Sequence, residues 1–273
     1  MLNANNVCTL FVSQQNGSDN YSGFCCEECG DYQGPLKTIE TALERIGDMR
    51  SAGACHPVRI EILGDYGVEK PIYINNTVEN VTICGRENTV VHGGIHITGF
   101  CEDTFNGKPC FSASVPQVKD GLWFTDFFVD GVRADMTSIP KNDYFYPLSV
   151  ENNKKDLFAE SKWFIAKPED MKLFQGLRNL KDCIISYYHY WVDAHSPIES
   201  VDFATGKIEM KYKSRFFFFF YCAGATMRYQ LENVAEAFEN KNEWYLDRDS
   251  AKVYYIPRDE SQTPDNICAY ATV

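Results

Sequence analysis

The chain has 273 residues, of which 44% are hydrophobic, and a formal net charge of -12. A chain of this length can form one large or two small domains, and this hydrophobic share is enough for a buried core. The negative charge repels nucleic acid phosphates and anionic membrane surfaces, so neither is expected as a partner. The sequence also contains no apolar run of membrane-spanning length.

The 11 cysteines are odd in number and scattered along the chain, unlike the evenly paired cysteines of a small secreted domain. Several of them, such as Cys84 and Cys183, lie in apolar runs. This placement is typical of small buried residues in a reducing compartment. The N-terminal residues lack the basic segment and apolar core of a signal peptide. We therefore expect a cytoplasmic location, with secretion after removal of a signal as the alternative.

The first hundred residues combine one helix with many short strands. The pattern predicts a strand over 8–15, a polar loop, and a helix over 35–49 with Pro35 in its first turn. Residues 57–100 then hold short β-branched runs, separated by Gly, Asn and Asp roughly every 8 to 12 residues. This rhythm indicates an all-β solenoid or sandwich, and the short runs and polar turns favour the solenoid.

From about residue 100 to 260 the strands lengthen and hairpins are expected. Three hairpins are predicted in the segments "VDGV", "PIESVDFATGKIEMKY" and "EWYLDRDSAKVYYIP". Between the first two, residues 161–194 are expected to form a short helical or turn segment followed by a long strand. A buried strand is predicted over 215–222 and a short helix over 229–239.

The stretch "YYHYWVDAH" (187–195) is the candidate ligand surface. On a strand, Tyr187, His189 and Trp191 share one side. An aromatic ring can stack on the face of a sugar, and a histidine can bond its hydroxyl groups. We therefore take His189, Trp191 and the nearby His195 as candidate substrate-binding residues. The alternative is that these aromatic side chains only pack in the core, as such residues commonly do.

No pair of acids can be assigned as catalytic from the sequence. Asp247 and Asp249 flank a predicted turn, where aspartate is favoured because its side chain bonds the local backbone. Glu232 and Glu236 are one turn apart in the predicted helix over 229–239, which is typical of a solvated face.

A weak metal-binding pattern occurs in the loop after the first strand. Its possible zinc ligands are Cys26, Cys29, Cys55 and His56. Their spacing fits no standard zinc module, because a single C-x-x-C pair is not a site. We therefore expect a surface loop with free thiols and no bound metal or cofactor.

Several blocks of the chain carry a resemblance to known proteins. The opening blocks "LFVSQQNGSDNYSG" and "GPLKTIETALERI" resemble the start of right-handed parallel β-helix proteins of the pectate-lyase-like group. Four later blocks follow in the same order as in β-helix glycoside hydrolases of families 120 and 141: "FVDGVRADMTSIPKNDYF", "NLKDCIISYYHYWVD", "PIESVDFATGKIEM" and "ENVAEAFENKNEWYLDRDSAKVYYIP". One departure is Met136, Thr137 and Ser138, where relatives usually carry arginines.

The resemblance implies a mainly β fold, the start of a right-handed parallel β-helix. Residues 1–100 would form a capping helix and the first coils, 101–260 an inserted antiparallel β-sandwich or barrel, and 261–273 the return to the β-helix. It also implies hydrolysis of glycosidic bonds by two carboxylates without a cofactor, with a glycan as partner. The coils that carry those carboxylates are expected beyond residue 273.

Two other functions stay open. The chain could be a non-catalytic module that binds a glycan or forms a subunit interface, since exposed strand edges favour pairing with another chain as a homo-oligomer. It could also be part of a polysaccharide lyase, which would need a calcium site built from clustered aspartates.

Overall fold

A computed structural model describes residues 7–68, 70–76, 78–151, 158–189, 192–218 and 227–272. The chain is mainly β, as predicted. It divides into two compact units, Met1–His96 with Thr272–Val273, and Ile97–Ala271. The boundaries expected at residues 100 and 260 stay a prediction. No helix among the described residues is long and apolar enough to cross a membrane.

The first unit contains one helix and short strands. In chain order its elements are β1 (Cys8–Val12), α1 (Ile39–Ser51), β2 (Val58–Ile62), β3 (Tyr66–Gly67), β4 (Val81–Gly85) and β5 (Val91–His92), followed by β6 (Gly94–Ile97).

Two sets of parallel strands form the sheets of the first unit. β1 pairs with β2 and β2 with β4, both in parallel and in unbroken register, so that Leu10, Ile60 and Ile83 lie side by side. β3 pairs with β5, also in parallel. Alternate residues of β1 and β2 point into the core, where they meet the apolar stripe of α1.

The helix α1 begins at Ile39 and not at Pro35, so its predicted start is wrong. Thr38 has an extended backbone, and its hydroxyl accepts a hydrogen bond from the N–H of Thr41 at 3.2 Å. The carboxylate of Asp19 accepts from the N–H of Thr38 at 2.9 Å. Thr38 is therefore the N-cap, because its side chain replaces a hydrogen bond that the first helical turn cannot make.

Most of the regular elements of the second unit are strands. Its elements are β7 (Cys101–Phe105), β8 (Lys108–Ser114), β9 (Phe127–Val129), β10 (Val132–Arg133), β11 (Asp135–Met136), β12 (Ser138–Ile139), β13 (Ser149–Val150), β14 (Trp163–Ile165), α2 (Pro168–Gln175), β15 (Ile184–Tyr188), β16 (Asp193–Asp202), β17 (Lys207–Met210), β18 (Arg228–Glu232), β19 (Glu243–Asp247), β20 (Lys252–Tyr255) and β21 (Ala269–Thr272). Single 3₁₀ turns occur at Pro116–Asp120, Leu180–Asp182 and Ala235–Ala237.

Two larger sheets organise this unit. One has the order β12-β18-β15-β16-β17-β14-β13, and the other the order β11-β19-β20-β8-β7. Their neighbouring strands are antiparallel except β11 and β19. The three predicted hairpins are formed by β9 with β10, β16 with β17, and β19 with β20. Asp130 and Gly131 turn the first of these with φ values of 53° and 73°, as a type I′ turn requires.

Three further predicted elements differ in the structure. The long strand expected to run to residue 194 stops at Tyr188, and the antiparallel strand β16 begins at Asp193. Residues 229–239 do not form a helix, because Tyr229 and Leu231 alternate into the core as part of β18 and only Ala235–Ala237 makes a 3₁₀ turn. Asn233 ends the strand with a φ of 56°. The strand predicted over 215–222 is absent from its described part, 215–218, and the remainder lies outside the described residues.

The main core of the second unit lies on one face of the seven-stranded sheet. Its largest side chains include Phe164, Tyr187, Phe218 and Tyr229, which contact one another at ring-centroid distances of 4.6–6.3 Å. These aromatic side chains are each at most 2% exposed. Because successive side chains of a strand point to opposite faces, the residues between them are directed away from this core.

Candidate functional site

The candidate site begins with the face of β15, β16 and β18 that points away from the core. In the register of these strands, Ser186 lies between His195 and Gln230. The next row along, Tyr187 with Ala194 and Tyr229, belongs to the core. The alternation therefore places a row of polar side chains together on the outer face.

Ser186, His195 and Glu232 form a hydrogen-bonded chain on this face. The serine hydroxyl donates to Glu232 Oε2 at 2.5 Å and lies 2.7 Å from His195 Nδ1. A hydroxyl has one proton, so His195 Nδ1–H must donate to the serine oxygen. The other ring nitrogen, Nε2, lies 3.5 Å from Asp193 Oδ2.

This arrangement favours a charged imidazole. The hydrogen-bonded Glu232 carboxylate raises the pKa of His195 above its ordinary value, and Asp193 adds to the effect. His195 therefore keeps its second proton over a wider pH range than an isolated histidine.

The same geometry argues against a serine nucleophile. Ser186 is fully buried, and Glu232 contacts the same imidazole nitrogen as the serine. A nucleophilic serine needs an accessible hydroxyl group that passes its proton to the histidine, whereas the hydroxyl of Ser186 is buried and donates to Glu232. The chain of three residues is suited to holding a protonated His195 in a fixed orientation.

Two open clefts meet at His195. The carboxylate cleft, of about 480 Å³, is lined by His195 and by four acids: Asp126, Asp135, Glu232 and Glu243. The aromatic–cationic cleft, of about 540 Å³, is lined by His195 together with Trp123, Lys181, Lys211, Tyr212 and Arg248, and by one acid, Glu199. Both clefts lie entirely within the second unit.

Glu243 is the most buried acid of the carboxylate cleft and is held by several donors. The backbone N–H groups of Glu239 and Asn240 both donate to its Oε2 at 2.9 Å, and Lys141 Nζ donates to its Oε1. Burial by itself raises the pKa of Glu243, but these donors outweigh it and hold the pKa below its ordinary value. Glu243 is therefore an ionised structural anchor at the start of β19.

The other acids of this cleft are also engaged. Asp126 accepts from Arg133 at 2.6 Å, and Asp135 accepts from Asn242 at 3.4 Å. Together with the bonds of Glu232 and Glu243, each cleft carboxylate thus has a partner within the unit. Such carboxylates can still accept sugar hydroxyl groups, because an ionised carboxylate has about four acceptor positions.

Comparisons with known proteins bear on the fold. No protein-family model matches the chain, and no curated protein matches it. A solved structure titled "Glycoside hydrolase" matches with a TM-score of 0.69 and 19% identity. The match covers 96% of this chain and 45% of that one, so the chain spans about half the length of the matched structure. The chain shares the fold of a glycoside hydrolase.

Within this fold, the three candidate binding residues lie in different surroundings. His189 packs edge-on against Tyr187 and Phe216, with ring centroids 5.4 and 5.6 Å away. Burial lowers the pKa of His189, and among the described residues its buried Nε2 has no hydrogen-bond partner. Trp191 lies outside the described residues. Of the two candidate histidines, His195 lines the clefts, and a binding role for His189, Trp191 and His195 stays a prediction.

The four candidate zinc ligands are not gathered into one site. In the part of the chain that the structure describes, no group of three or more His, Cys, Asp or Glu side chains could hold a metal ion. Cys29 instead lies against Cys25, with the two sulfur atoms 2.8 Å apart. Cys55 is exposed and contacts the backbone oxygen of Gly53 at 3.6 Å.

Several site residues were not predicted from the sequence. Glu232 was assigned to a solvated helix face, whereas it belongs to β18 beside Ser186 and His195. Lys211 and Tyr212 follow β17 and were not singled out. The alternation of apolar residues at 229 and 231 could have indicated a strand, but the cross-strand neighbours depend on a register that the sequence does not contain.

Proposed function

We propose that this chain is part of a carbohydrate-active protein that hydrolyses glycosidic bonds, and that its second unit binds the glycan. The supporting observation is the fold shared with a glycoside hydrolase over 96% of the chain. The clefts around His195 offer aromatic rings, carboxylates and cations, which together can bind sugar rings and their hydroxyl groups.

The proposed architecture is the start of a right-handed parallel β-helix with an inserted antiparallel domain, similar to families 120 and 141. The parallel pairing of β1, β2 and β4, and that of β3 with β5, support the first part. The antiparallel sheets of the second unit support the inserted domain.

The proposed reaction uses two carboxylates as acid and base, or as acid and nucleophile. We propose that this pair lies outside these 273 residues, because the acids of the carboxylate cleft are held by partners such as Arg133 and Lys141. The matched glycoside hydrolase has further chain available for such residues, since 45% of it is covered.

The test combines binding and turnover on one panel of neutral and acidic oligosaccharides and aryl-glycosides. Calorimetry on the purified 273-residue chain should detect binding, and product analysis should detect no cleavage. The full product of the gene should cleave a glycan from the same panel. If neither protein binds or cleaves any member, the proposal fails. Cleavage by the 273-residue chain that is lost on replacing one of its own acids would overturn the placement of the catalytic pair.

A non-catalytic scaffold is the second candidate. It is favoured by the burial of Tyr187, which is 2% exposed and lies on the strand face once expected to bind a ligand. A scaffold would bind no member of the glycan panel and would assemble with another copy of the chain. Light scattering on the purified chain distinguishes this outcome, because a strict monomer without glycan binding would contradict both candidates.

A further inference from the structure

The aromatic–cationic cleft has more cations than acids in its lining. It is lined by the three cations Lys181, Lys211 and Arg248 and by a single acid, Glu199, in a chain whose net charge is -12. His195 adds a further positive charge when it is protonated. A local excess of cations on an acidic protein attracts anions to that place while the molecule as a whole repels them.

Lys211 has the most available of these charges. Its backbone N–H donates to Pro197 O at 2.8 Å, which fixes the start of the side chain beside β16. No ion pair among the described residues includes Lys211, and its ammonium group lies 5.5 Å from the ring centroid of Tyr212. Among the described residues, its ammonium group therefore has no carboxylate within ion-pair distance.

Neighbouring lysines show the opposite arrangement. Lys207 Nζ lies 3.3 Å from Glu209, and Lys213 Nζ lies 3.0 Å from Glu160. Both of these lysines have a carboxylate partner, whereas Lys211 between them has none among the described residues.

Tyr212 supplies an aromatic surface next to this charge. Its backbone N–H donates to the hydroxyl oxygen of the buried Ser196 at 2.9 Å, while the residue is 56% exposed. An exposed ring on a fixed backbone loses little conformational entropy when a flat ligand stacks on it. Tyrosine also has a hydroxyl group that can bond to such a ligand.

The other cations are held in place by their own contacts. The Arg248 guanidinium lies over the ring of Trp123, 4.3 Å from its centroid, and 3.6 Å from the buried Asp182. Lys181 lies 3.3 Å from Asp249, and both of these side chains are more than two-thirds exposed. An exposed pair of this kind is weak, so Lys181 can exchange Asp249 for a bound anion at little cost.

We propose that the aromatic–cationic cleft binds an oligosaccharide that carries anionic groups, with a sugar ring against Tyr212 and its carboxylates or sulfate esters paired with Lys211 and Lys181. This inference rests on the proposed function for the glycan part of the ligand and adds the charge of the ligand. A neutral glycan would leave Lys211 without a partner, whereas an acidic one would make the charge-assisted bonds that this lysine lacks.

The experiment compares an acidic oligosaccharide with its neutral methyl ester and with a sulfated oligosaccharide. A defined oligogalacturonate and its methyl ester have the same sugar backbone, and a sulfated oligosaccharide replaces the carboxylate with a sulfate ester. Isothermal titration calorimetry on the 273-residue chain should show that the uronate binds about tenfold or more tightly than its ester. Comparing the uronate with the sulfated ligand identifies which anion the cleft prefers. The affinity for either should fall as salt is added.

Variants then assign the binding to the cleft. Lys211→Glu should weaken uronate binding by about tenfold or more, and Tyr212→Ala should weaken both the uronate and its ester, because ring stacking does not depend on charge. Lys213→Glu is the matched control, since this lysine is also exposed but already paired with Glu160 and does not line the cleft. Lys211 and Tyr212 are exposed, so thermal melts should confirm that these variants remain folded.

The possible outcomes distinguish a failure of this inference from a failure of the proposed function. Equal affinity for the uronate and its ester, or equal losses for Lys211→Glu and Lys213→Glu, overturns this inference and leaves the proposed function standing. Binding of oligoglutamate as tightly as oligogalacturonate would also overturn it, because the cleft would then recognise charge alone. Absence of binding to every glycan would count against the proposed function itself.

Discussion

The hydroxyl group of Ser186 lies 2.7 Å from Nδ1 of His195, directly across the pairing of β15 with β16. On β18, the other neighbour of β15, Glu232 accepts a hydrogen bond from the same hydroxyl group. Ser186 and His195 are nine residues apart on consecutive strands, whereas Glu232 is 46 residues from Ser186 and meets it only through the pairing of β18 with β15. This relationship places His195, whose pKa Glu232 raises, where the two clefts join.

The first prediction concerns the pKa of His195. Replacing Glu232→Gln keeps the size of the side chain and removes the charge that raises this pKa, so the pKa should fall. Titration of the histidine signals by NMR measures the change. Glu236→Gln is the control, because that carboxylate bonds to Arg178 at 2.9 Å. An unchanged His195 pKa in Glu232→Gln would contradict the hydrogen-bonded chain.

The interaction of His195 with Glu232 also predicts that the stability of the fold depends on pH. The pKa of His195 is higher in the folded state than in the unfolded chain, where it is about 6.5. At a pH below that unfolded-state pKa, the charged imidazole makes its full contribution to the stability of the fold. This contribution is lost as the pH rises through the folded-state pKa. The destabilisation caused by Glu232→Gln should therefore be larger near pH 6 than at about pH 9. Urea unfolding at the two pH values measures the difference, and an equal or larger loss at the higher pH would contradict the assignment.

The fold of the second unit was partly predictable because hairpins are local. The Asp130-Gly131 turn and the alternation around it predict β9 and β10 without knowledge of the rest of the chain. The segment 229–239 was not predictable in the same way. Its glutamates are spaced as on a helix, and the tertiary contacts of Tyr229 and Leu231 with the core determine the strand.

The second prediction concerns Asn233, which is 2% exposed and has a φ of 56°. Its side chain accepts from the N–H of Leu246 at 2.9 Å and donates to the backbone oxygens of Leu246 and Asp182 at 3.0 and 3.3 Å. Asn233→Ala leaves these buried groups unsatisfied and adds left-handed strain, so it should cost about 2–4 kcal/mol.

Chemical denaturation of Asn233→Ala gives the measurement. Asn88→Ala is a matched control, because Asn88 has a φ of 66° but is exposed. It should lose only the strain, about 1 kcal/mol. If both variants lose the same stability, the buried hydrogen bonds of Asn233 contribute little.

The third prediction concerns the thiols of Cys25 and Cys29, whose sulfur atoms are 2.8 Å apart in the first unit. Oxidised glutathione should convert them into a disulfide: one thiolate attacks the glutathione disulfide, and the second displaces glutathione from the mixed disulfide. Cys25 raises the pKa of Cys29, so the reaction should be faster at alkaline pH. Mass spectrometry after alkylation should show that both thiols are lost together, that Cys25→Ser prevents this and that Cys26→Ser does not. A disulfide between Cys26 and Cys29 would contradict the geometry.

The site was less predictable than the fold for a physical reason. The aromatic stretch at 187–195 was predicted as one strand, but β15 ends at Tyr188 and β16 begins at Asp193, so this prediction was wrong. Which face of β15 is buried depends on what packs against it. Phe218 covers Tyr187 from a distant part of the chain, so the buried face includes Tyr187. Ser186 lies on the opposite face and is itself buried. Lys211 and Tyr212 line the cleft beside this face because β17, which they follow, pairs with β16.

The last prediction concerns the ion pair of Lys141 and Glu243. Lys141→Met removes the cation from a carboxylate side chain that is 9% exposed, although two backbone N–H groups remain bonded to it. Because the remaining donors satisfy Glu243 in part, the loss should be about 2–3 kcal/mol, below that of an unsatisfied buried charge. The exposed Lys241, which lines the same cleft, is the control, and Lys241→Met should change stability little.

The pH dependence of this loss follows from the pKa of Glu243, which is held below its ordinary value. A lowered folded-state pKa gives stability that is present above the unfolded value and disappears as the pH falls through the folded one. The difference between the natural chain and Lys141→Met should therefore be largest near neutral pH and shrink in acid. Urea unfolding from neutral to acidic pH measures it. A difference that stays constant over this range would show that Lys141 stabilises the fold through packing and not through the charge of Glu243.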